Sequence, residues 1–463
     1  MKYYLRLHDV RRDAARIASF SLILLVLGLG SASPIDAATT RGQVRLGGYT
    51  RIVTFKDKLQ GEENNDEAVL SGQFSLDALE LNDSNDQVVL DFRDKWDSYG
   101  KLERQNLRLS SYNRIQMRTL AYRRPWETNR FYFTLGRFAL AEANVLSNDG
   151  ADAGYRLSRS FRLGVFGGQG PKDILMPLYV DPKEPAINNL QAGSYLTYEN
   201  KGGVEDSSYL TQAVGQGPTY DITDKANHAY YFQQGMWTFT NAHRLATTAL
   251  YDFKPTSVLR RASISHIFTS EKYRTHLYLQ QTNTEDYFLK QTIEDTLKPS
   301  PVQTLGFELR QRLLQNLSFD YSLLFGKRTE DGLTQKELAF GILLPRLIFD
   351  ASSLRTQFGV RNNFQSKDNF VRISYDYWAR YIGLGLSHLI VKEDYESGLK
   401  NQRQISTIDS SFFLSEDLRG TLAYQIESDD KASAKALFVM IGYRFGEASV
   451  SPVRTKTPRF ESM

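Results

Sequence analysis

Apolar and polar residues alternate along Val302 to Lys327 with a period of two. Leu305, Phe307, Leu309 and Leu313 are interleaved with Gly306, Glu308, Arg310 and Arg312. After Gln315-Asn316, Leu317, Phe319, Tyr321, Leu323 and Phe325 are interleaved with Ser318, Asp320, Ser322 and Gly326, with Leu324 out of step. Successive side chains of a strand point to opposite faces, so this stretch predicts a β-hairpin with one apolar and one polar face. Each arm has about ten residues, roughly what a tilted strand needs to cross a bilayer. A hairpin half-buried in a soluble sandwich would alternate in the same way. The number of copies decides between the two.

Copies run through almost the whole chain. Strand-like segments lie near 44–52, 69–81, 87–96, 105–123, 130–138, 151–158, 161–168, 191–199 and 208–214. Others lie near 228–239, 243–253, 258–268 and 272–282. Beyond the opening hairpin they continue near 335–343, 353–364, 369–380, 381–392, 403–413, 418–427 and 434–446. With some neighbours merging or splitting, the pattern predicts about 18 strands, 16 to 20 being admitted. Polar or proline-rich stretches at Lys56–Ala68, Gly168–Leu190, Glu199–Ser207, Gly215–Asn227 and Thr284–Pro301 read as long loops among tight connections. No segment keeps a helical period, and no domain boundary falls between Gln43 and Gly446.

Only 41% of the residues are hydrophobic and 24% are charged, so beyond the N-terminal leader no stretch could cross a membrane as a helix. Any membrane role falls to strands, whose signal the polar face dilutes. The 26 Tyr and 27 Phe against 4 Trp suit strands and also a lipid–water boundary. The absence of cysteine excludes disulfides, thiolate-bound zinc, iron–sulfur clusters, thiol catalysis and a lipid-modified N-terminal cysteine. A net charge of +4 is no nucleic-acid footprint, so no nucleic-acid partner is expected, and no cofactor either. At the N-terminus Lys2, Arg6, Arg11, Arg12 and Arg16 precede an apolar run from Ser19 to Gly30. Ile35-Asp36-Ala37 then offers a cleavage site before Ala38, as in a secretory signal peptide. The expected organisation is a cleaved signal peptide over 1–37, one barrel over 38–446 and a flexible polar tail over 447–463.

Many segments end in rings, among them Tyr49, Phe55, Trp96, Tyr122, Trp126, Phe138, Trp237, Phe239, Tyr381 and Phe445. Amphipathic rings at strand ends fit interfacial girdles. Closing the sheet removes its edges, and in lipid only closure satisfies every backbone group. The fold class expected is therefore all-β, a transmembrane antiparallel β-barrel. In the last segment Leu437, Val439, Ile441, Tyr443 and Phe445 alternate with Phe438, Met440, Gly442 and Arg444. It resembles the aromatic-terminated final strand of Gram-negative outer-membrane proteins. Leu135-Gly136-Arg137-Phe138, Asn148-Asp149-Gly150 and Gly164-Val165-Phe166-Gly167-Gly168 are similar to strand and loop junctions of outer-membrane porins. The resemblance implies a place in the outer membrane, with lipid and the assembly machinery as partners, and it allows a homo-oligomer. It implies a passive channel for small polar or anionic solutes. The chain departs from that pattern by continuing past Gly446 through Pro452 and Pro458.

If the apolar faces meet lipid, the opposite faces line a lumen. The candidate selectivity residues are Glu308, Arg310, Arg312, Arg355, Arg361, Arg372, Asp376 and Arg380. Depending on the turn, Arg361 faces Arg372, Arg355 faces Arg380, or Arg361 faces Asp376. Such a wall either favours anions or binds itself together as a lattice of ion pairs. Catalytic alternatives are thin. Ser265-His266 and Ser387-His388 point to opposite faces, and His266, Glu271 and His276 form only a weak constellation. Asp149, Asp152 and the acidic Glu62–Glu67 stretch suit a solvated loop better than a calcium site. The expected function is a non-enzymatic channel. The alternative is a non-channel barrel, either a structural or adhesive surface protein or a lipase-type enzyme.

Overall fold

The computed structural model describes residues 39–446 apart from 58–60, 82–84, 99–112, 171–189, 202–206, 218–227, 255–256, 283–301, 330, 365, 396 and 431. The expected leader and tail, and the Thr284–Pro301 stretch, lie outside the described residues. The first strands are β1 (Thr39–Asp57), β2 (Gly61–Leu79), β3 (Gln87–Ser98), β4 (Asn113–Arg124), β5 (Phe131–Leu140) and β6 (Val145–Arg156). They are followed by β7 (Phe161–Gln169), β8 (Leu190–Lys201), β9 (Ser207–Gly217), β10 (His228–Thr240), β11 (His243–Lys254) and β12 (Val258–Thr269). Next come β13 (Tyr273–Thr282), β14 (Val302–Leu314), β15 (Leu317–Arg328), β16 (Thr334–Pro345) and β17 (Ser352–Asn362). The last are β18 (Ser366–Trp378), β19 (Ile382–Tyr395), β20 (Lys400–Phe413), β21 (Leu418–Ser428) and β22 (Ala432–Gly446).

Each strand pairs antiparallel with its chain neighbours, and β1 also pairs with β22 from Arg41↔Gly446 to Phe55↔Ala432. The ring is closed. It has 22 strands, not about 18. The sequence segments do not merge, because very short links are complete reversals. Asn241-Ala242 turns the chain between β10 and β11, with Thr240 Oγ1 accepting hydrogen bonds from the Ala242 and His243 amides (3.2 Å each). The acidic stretch expected as a long loop after Lys56 is also strand, since β2 begins at Gly61.

The long connections (99–112, 170–189, 218–227 and 283–301) all leave from one rim. The other rim carries shorter links and receives the first and last strands. At an inter-strand spacing of about 4.8 Å and a tilt near 40°, this ring is roughly 44 Å across between backbones.

Register separates the two faces. Leu277, Phe307, Leu323, Leu338 and Val360 form one row across β13 to β17. One residue along, His276, Glu308, Ser322, Ala339 and Gly359 form the next. Leu338 is 55% exposed and Val360 52%, against 1% for Ala339, so the apolar row faces outward. Exposed Leu46, Leu163, Leu196, Ile264, Ile373, Leu386, Leu422 and Ile441 continue this belt around the ring. Rings gather on the outer face near the short-link rim, where Phe161 packs on Tyr198, Phe349 on Tyr377 and Phe445 on Phe74 and Tyr443. Three rings expected there turn the other way: Tyr49 shares the face of Arg45, Phe138 is buried, and Trp126 packs against Arg162. A ring near a strand end has two faces to choose from, and sequence position alone does not choose.

Candidate functional site

The register places seven of the eight candidate residues on the inner face, but most do not stand free. Arg310 lies opposite Asp320 and donates to it through Nε (2.7 Å) and Nη2 (3.3 Å). Arg355 reaches the same carboxylate from β17, 3.0 Å away. Gly341, paired with Asp320 on the intervening strand, has no side chain to block that reach. Arg361 holds Asp368 at 2.8 Å, and Ser366 Oγ donates to the other carboxylate oxygen (2.7 Å). Glu308 lies 3.7 Å from His276. Arg312 and Arg372 are exposed opposite Ser318 and Gln357, and Asp376 is exposed opposite Ser353 and Gly385.

None of the three expected cross-strand pairings forms. The reversal between β17 and β18 falls at residues 363–366, where the Asn363 amide donates to Ser366 O (2.7 Å). That register sets Arg361 against Asp368, so a matched pair replaces every like-charge pairing considered. Arg380 is not on the wall. It lies in the link between β18 and β19, with its guanidinium 5.1 Å over the Tyr381 ring.

A second group of arginines sits where the ring closes. Arg419, Gly442, Arg45, Gln73 and Arg93 form one inner row across β21, β22, β1, β2 and β3. Arg444, two residues from Gly442, lies opposite Gln43. A side chain at Gly442 would begin 3.6 Å from Arg45 Cγ and 3.8 Å from Arg419 Cγ, so the two arginine stems flank it. Arg45 Nη2 donates to Gln43 Oε1 (2.9 Å). Among the described residues no carboxylate pairs with Arg45, Arg93, Arg419 or Arg444. Sequence reasoning missed this group, although Arg45 and Arg444 stood on the polar faces of the first and last strands. A closed ring must join those strands, and that was the available signal.

The third feature is a hairpin that leaves the wall. β5 and β6 pair up to Leu140↔Val145, whereas β6 pairs with β7 only from Asp149. The tip, with a 3-10 turn at Ala141–Ala143, folds inward against β8 to β10. Tyr230 donates to Ala143 O (2.9 Å) and Gln191 to Ser147 O (2.9 Å). Phe138, Leu140, Ala143 and Val145 pack there on Phe166, Ala213 and Phe232, a small core on the lumen side. Beneath it Tyr132, Gly154, Gly164 and Tyr195 form a row in which both rings lie over glycines. A methyl group at Gly164 would begin 2.3 Å from the Tyr195 ring, so no larger residue fits. Tyr195 donates to buried Asp152 (2.9 Å) and lies 3.2 Å from the Tyr132 hydroxyl. Arg162 bridges Glu142 (2.7 Å) and Glu199 (3.2 Å), with its guanidinium 4.5 Å over Trp126. Tyr132, Tyr195, Asp152, Arg162, Glu142 and Trp126 line a cavity of about 450 Å³.

The histidines do not form the constellation considered above. His266 pairs in register with Leu277 and His276 with Ile267, so the two imidazoles take opposite faces. His266 instead meets His243 at 3.2 Å. His388 Nδ1 lies 2.8 Å from Ser406 Oγ on the outer face, among Ile373, Leu386 and Ile408. Asp149, a calcium candidate, is held by Arg137 through two hydrogen bonds (2.5 and 2.6 Å).

No protein-family model matches the chain, and no curated protein matches it in sequence. Among solved structures it is similar to Pseudomonas aeruginosa OpdQ, at 8% identity and a TM-score of 0.42, over 88% of this chain and 98% of that one. A BenF-like porin from Pseudomonas fluorescens Pf-5 gives 9% and 0.44, over 88% and 99%. Acinetobacter baumannii OccAB4 gives 10% and 0.41, over 89% and 100%. At these values the likeness carries no assignment. The chain's own pairing establishes the architecture, a closed antiparallel barrel with an apolar outer belt and a polar inner wall.

Proposed function

We propose that this barrel spans the outer membrane and acts as a channel through which small polar or anionic solutes diffuse passively. The observation that carries this is the segregation of faces around a closed ring. A belt of exposed Leu, Ile, Val and Phe this extensive is unfavourable in water and favourable in hydrocarbon. The opposite face carries charges that need water. Transport then requires no chemistry, only a wet path whose wall charge biases the ions that enter. Seam arginines Arg45, Arg419 and Arg444, paired with no carboxylate among the described residues, supply positive charge that favours anions there. On the candidate wall, Arg312 and Arg372 add to that bias, whereas Arg310, Arg355 and Arg361 serve as ties between strands.

A non-conducting surface barrel is the second reading, and the infolded β5–β6 hairpin favours it because it occupies lumen space. His388 and Ser406 do not make an enzyme of either version. Among the described residues no acid orients that imidazole, and its apolar surroundings fit two polar groups satisfying each other in lipid. Planar-bilayer recording of the refolded full chain tests the channel. The expected result is stepwise conductance with a reversal potential favouring anions. A protein that inserts but never conducts would support the second reading.

A further inference from the structure

The outer face near the long-connection rim is not uniform. Lys336, Asn362, Lys367, Asp394 and Lys400 form one register row across β16 to β20. Three lysines therefore recur on alternate strands, about 10 Å apart at ordinary strand spacing. Lys327, Lys392 and Lys435 lie within three residues of the same rim on β15, β19 and β22. Each shares its face with the apolar belt: Lys327 with Phe325, Lys336 with Leu338, Lys367 with Ile373, Lys392 with Leu386, Lys400 with Ile408 and Lys435 with Leu437. All six are exposed, and among the described residues none is paired with a carboxylate. On four other strands of this rim the outward residues are glutamines, Gln169 on β7, Gln216 on β9, Gln281 on β13 and Gln303 on β14, and the outward Asp149 on β6 is matched by Arg137.

We propose that this arc is a docking surface for phosphate-bearing headgroups of net negative charge, on lipids in the leaflet at the long-connection rim. The inference rests on the membrane reading above. A lysine just beyond an apolar belt lays its methylenes along the hydrocarbon and lifts its ammonium to headgroup level. An ammonium is a compact partner for phosphate, and Lys336 and Lys367, with neutral Asn362 in register between them, can hold one headgroup, whereas Asp394 lies between Lys367 and Lys400. Continuity with the belt selects a lipid over a soluble anion, since a headgroup fixed at that height arrives with acyl chains that cover Phe325, Leu338 and Val360.

The test uses the refolded full chain in neutral detergent micelles, with phosphatidylglycerol or phosphatidylcholine added and retained lipid counted by native mass spectrometry. The variant is K336Q/K367Q/K400Q, and K272Q, in the short link between β12 and β13, is the control. A lysine near a charged headgroup is worth about fivefold, so the triple variant should lose phosphatidylglycerol affinity on the order of a hundredfold. Phosphatidylcholine retention and K272Q should be unchanged. Equal phosphatidylglycerol retention by variant and parent would overturn the proposal. So would inorganic phosphate displacing the lipid at equal concentration, which would mark a soluble-anion site. Normal bilayer conductance in the triple variant separates failure here from failure of the channel itself.

Discussion

Arginines line two parts of the inner wall and are held differently in each. Across β14 to β18, Arg310 and Arg355 share Asp320, and Arg361 ends on Asp368, a carboxylate only 1% exposed. At the seam, Arg419 and Arg45 flank Gly442, Arg444 lies two residues on, and none of the three is paired with a carboxylate among the described residues. The first arrangement spends its charge on tying strands together. The second leaves its charge unmatched by any described carboxylate. A count of arginines therefore says little about selectivity until each has been traced to its partner.

The largest effect separating the two regions should be on stability. Arg361→Gln leaves the buried Asp368 carboxylate with Ser366 as its one hydrogen-bond donor among the described residues, which costs about 3 kcal/mol, the low end for orphaning a buried charge. Arg45→Gln leaves no acid behind and should shift stability by less than about 0.5 kcal/mol. Urea unfolding of refolded protein in micelles measures both, and equal losses would erase the distinction. Next in size is selectivity. A guanidinium about 8 Å from a passing anion contributes about 0.5 kcal/mol in water. R45Q/R419Q/R444Q should thus lower the anion-to-cation permeability ratio on the order of tenfold, whereas R310Q, which leaves Asp320 with Arg355, should move it far less. Neutralising Arg361, Arg372 and Arg380 together should also have little effect, since one is paired and one is off the wall.

Asp320→Asn removes one negative charge from beside Arg310 and Arg355 and should raise anion preference about twofold on the same arithmetic. An unchanged reversal potential would mean that permeating ions do not sample that wall. The smallest expected effect lies in the link between β15 and β16. There Arg328 hydrogen-bonds Asp331 and holds its carboxyl below the usual range. A depressed carboxylate stabilises the fold above its unfolded-state pKa and loses that contribution as pH falls through the folded value. Amide exchange at Leu333, which donates to Asp331 (3.0 Å), should therefore stay protected at mildly acidic pH and accelerate only below the ordinary Asp range. Loss of protection near neutrality would contradict it.

The fold class was legible because alternation is local: Leu323 faces outward and Ser322 inward for reasons contained in a few neighbours. Even the irregular Leu324 obeys its position and faces the lumen opposite Gly306 and Glu337. The strand number was obscured by short turns such as Asn241-Ala242, whose cost to reverse a chain is easily overestimated. The partners of the arginines were less accessible. Arg361 meets Asp368 or Asp376 according to where a short turn falls, and a shift of two residues keeps every apolar face in place. The seam depends on β22 returning to β1, a contact between the two ends of the barrel that no local pattern encodes. The inward turn of Phe138 is of the same kind, since its burial needs Phe166, Tyr195 and Phe232 from later strands.

The sidedness of the wall is directly measurable with single introduced thiols, because the chain has no native cysteine. Gln357 and Phe358 are neighbours on β17, one in the inner row and one 48% exposed on the outer belt. In lipid vesicles Gln357→Cys should react with a charged, water-soluble thiol reagent, while Phe358→Cys should be shielded from it and, carrying a fluorophore, be quenched by lipid-borne quenchers. The reverse pattern, or equal reaction at both positions, would contradict an apolar exterior around a wet interior.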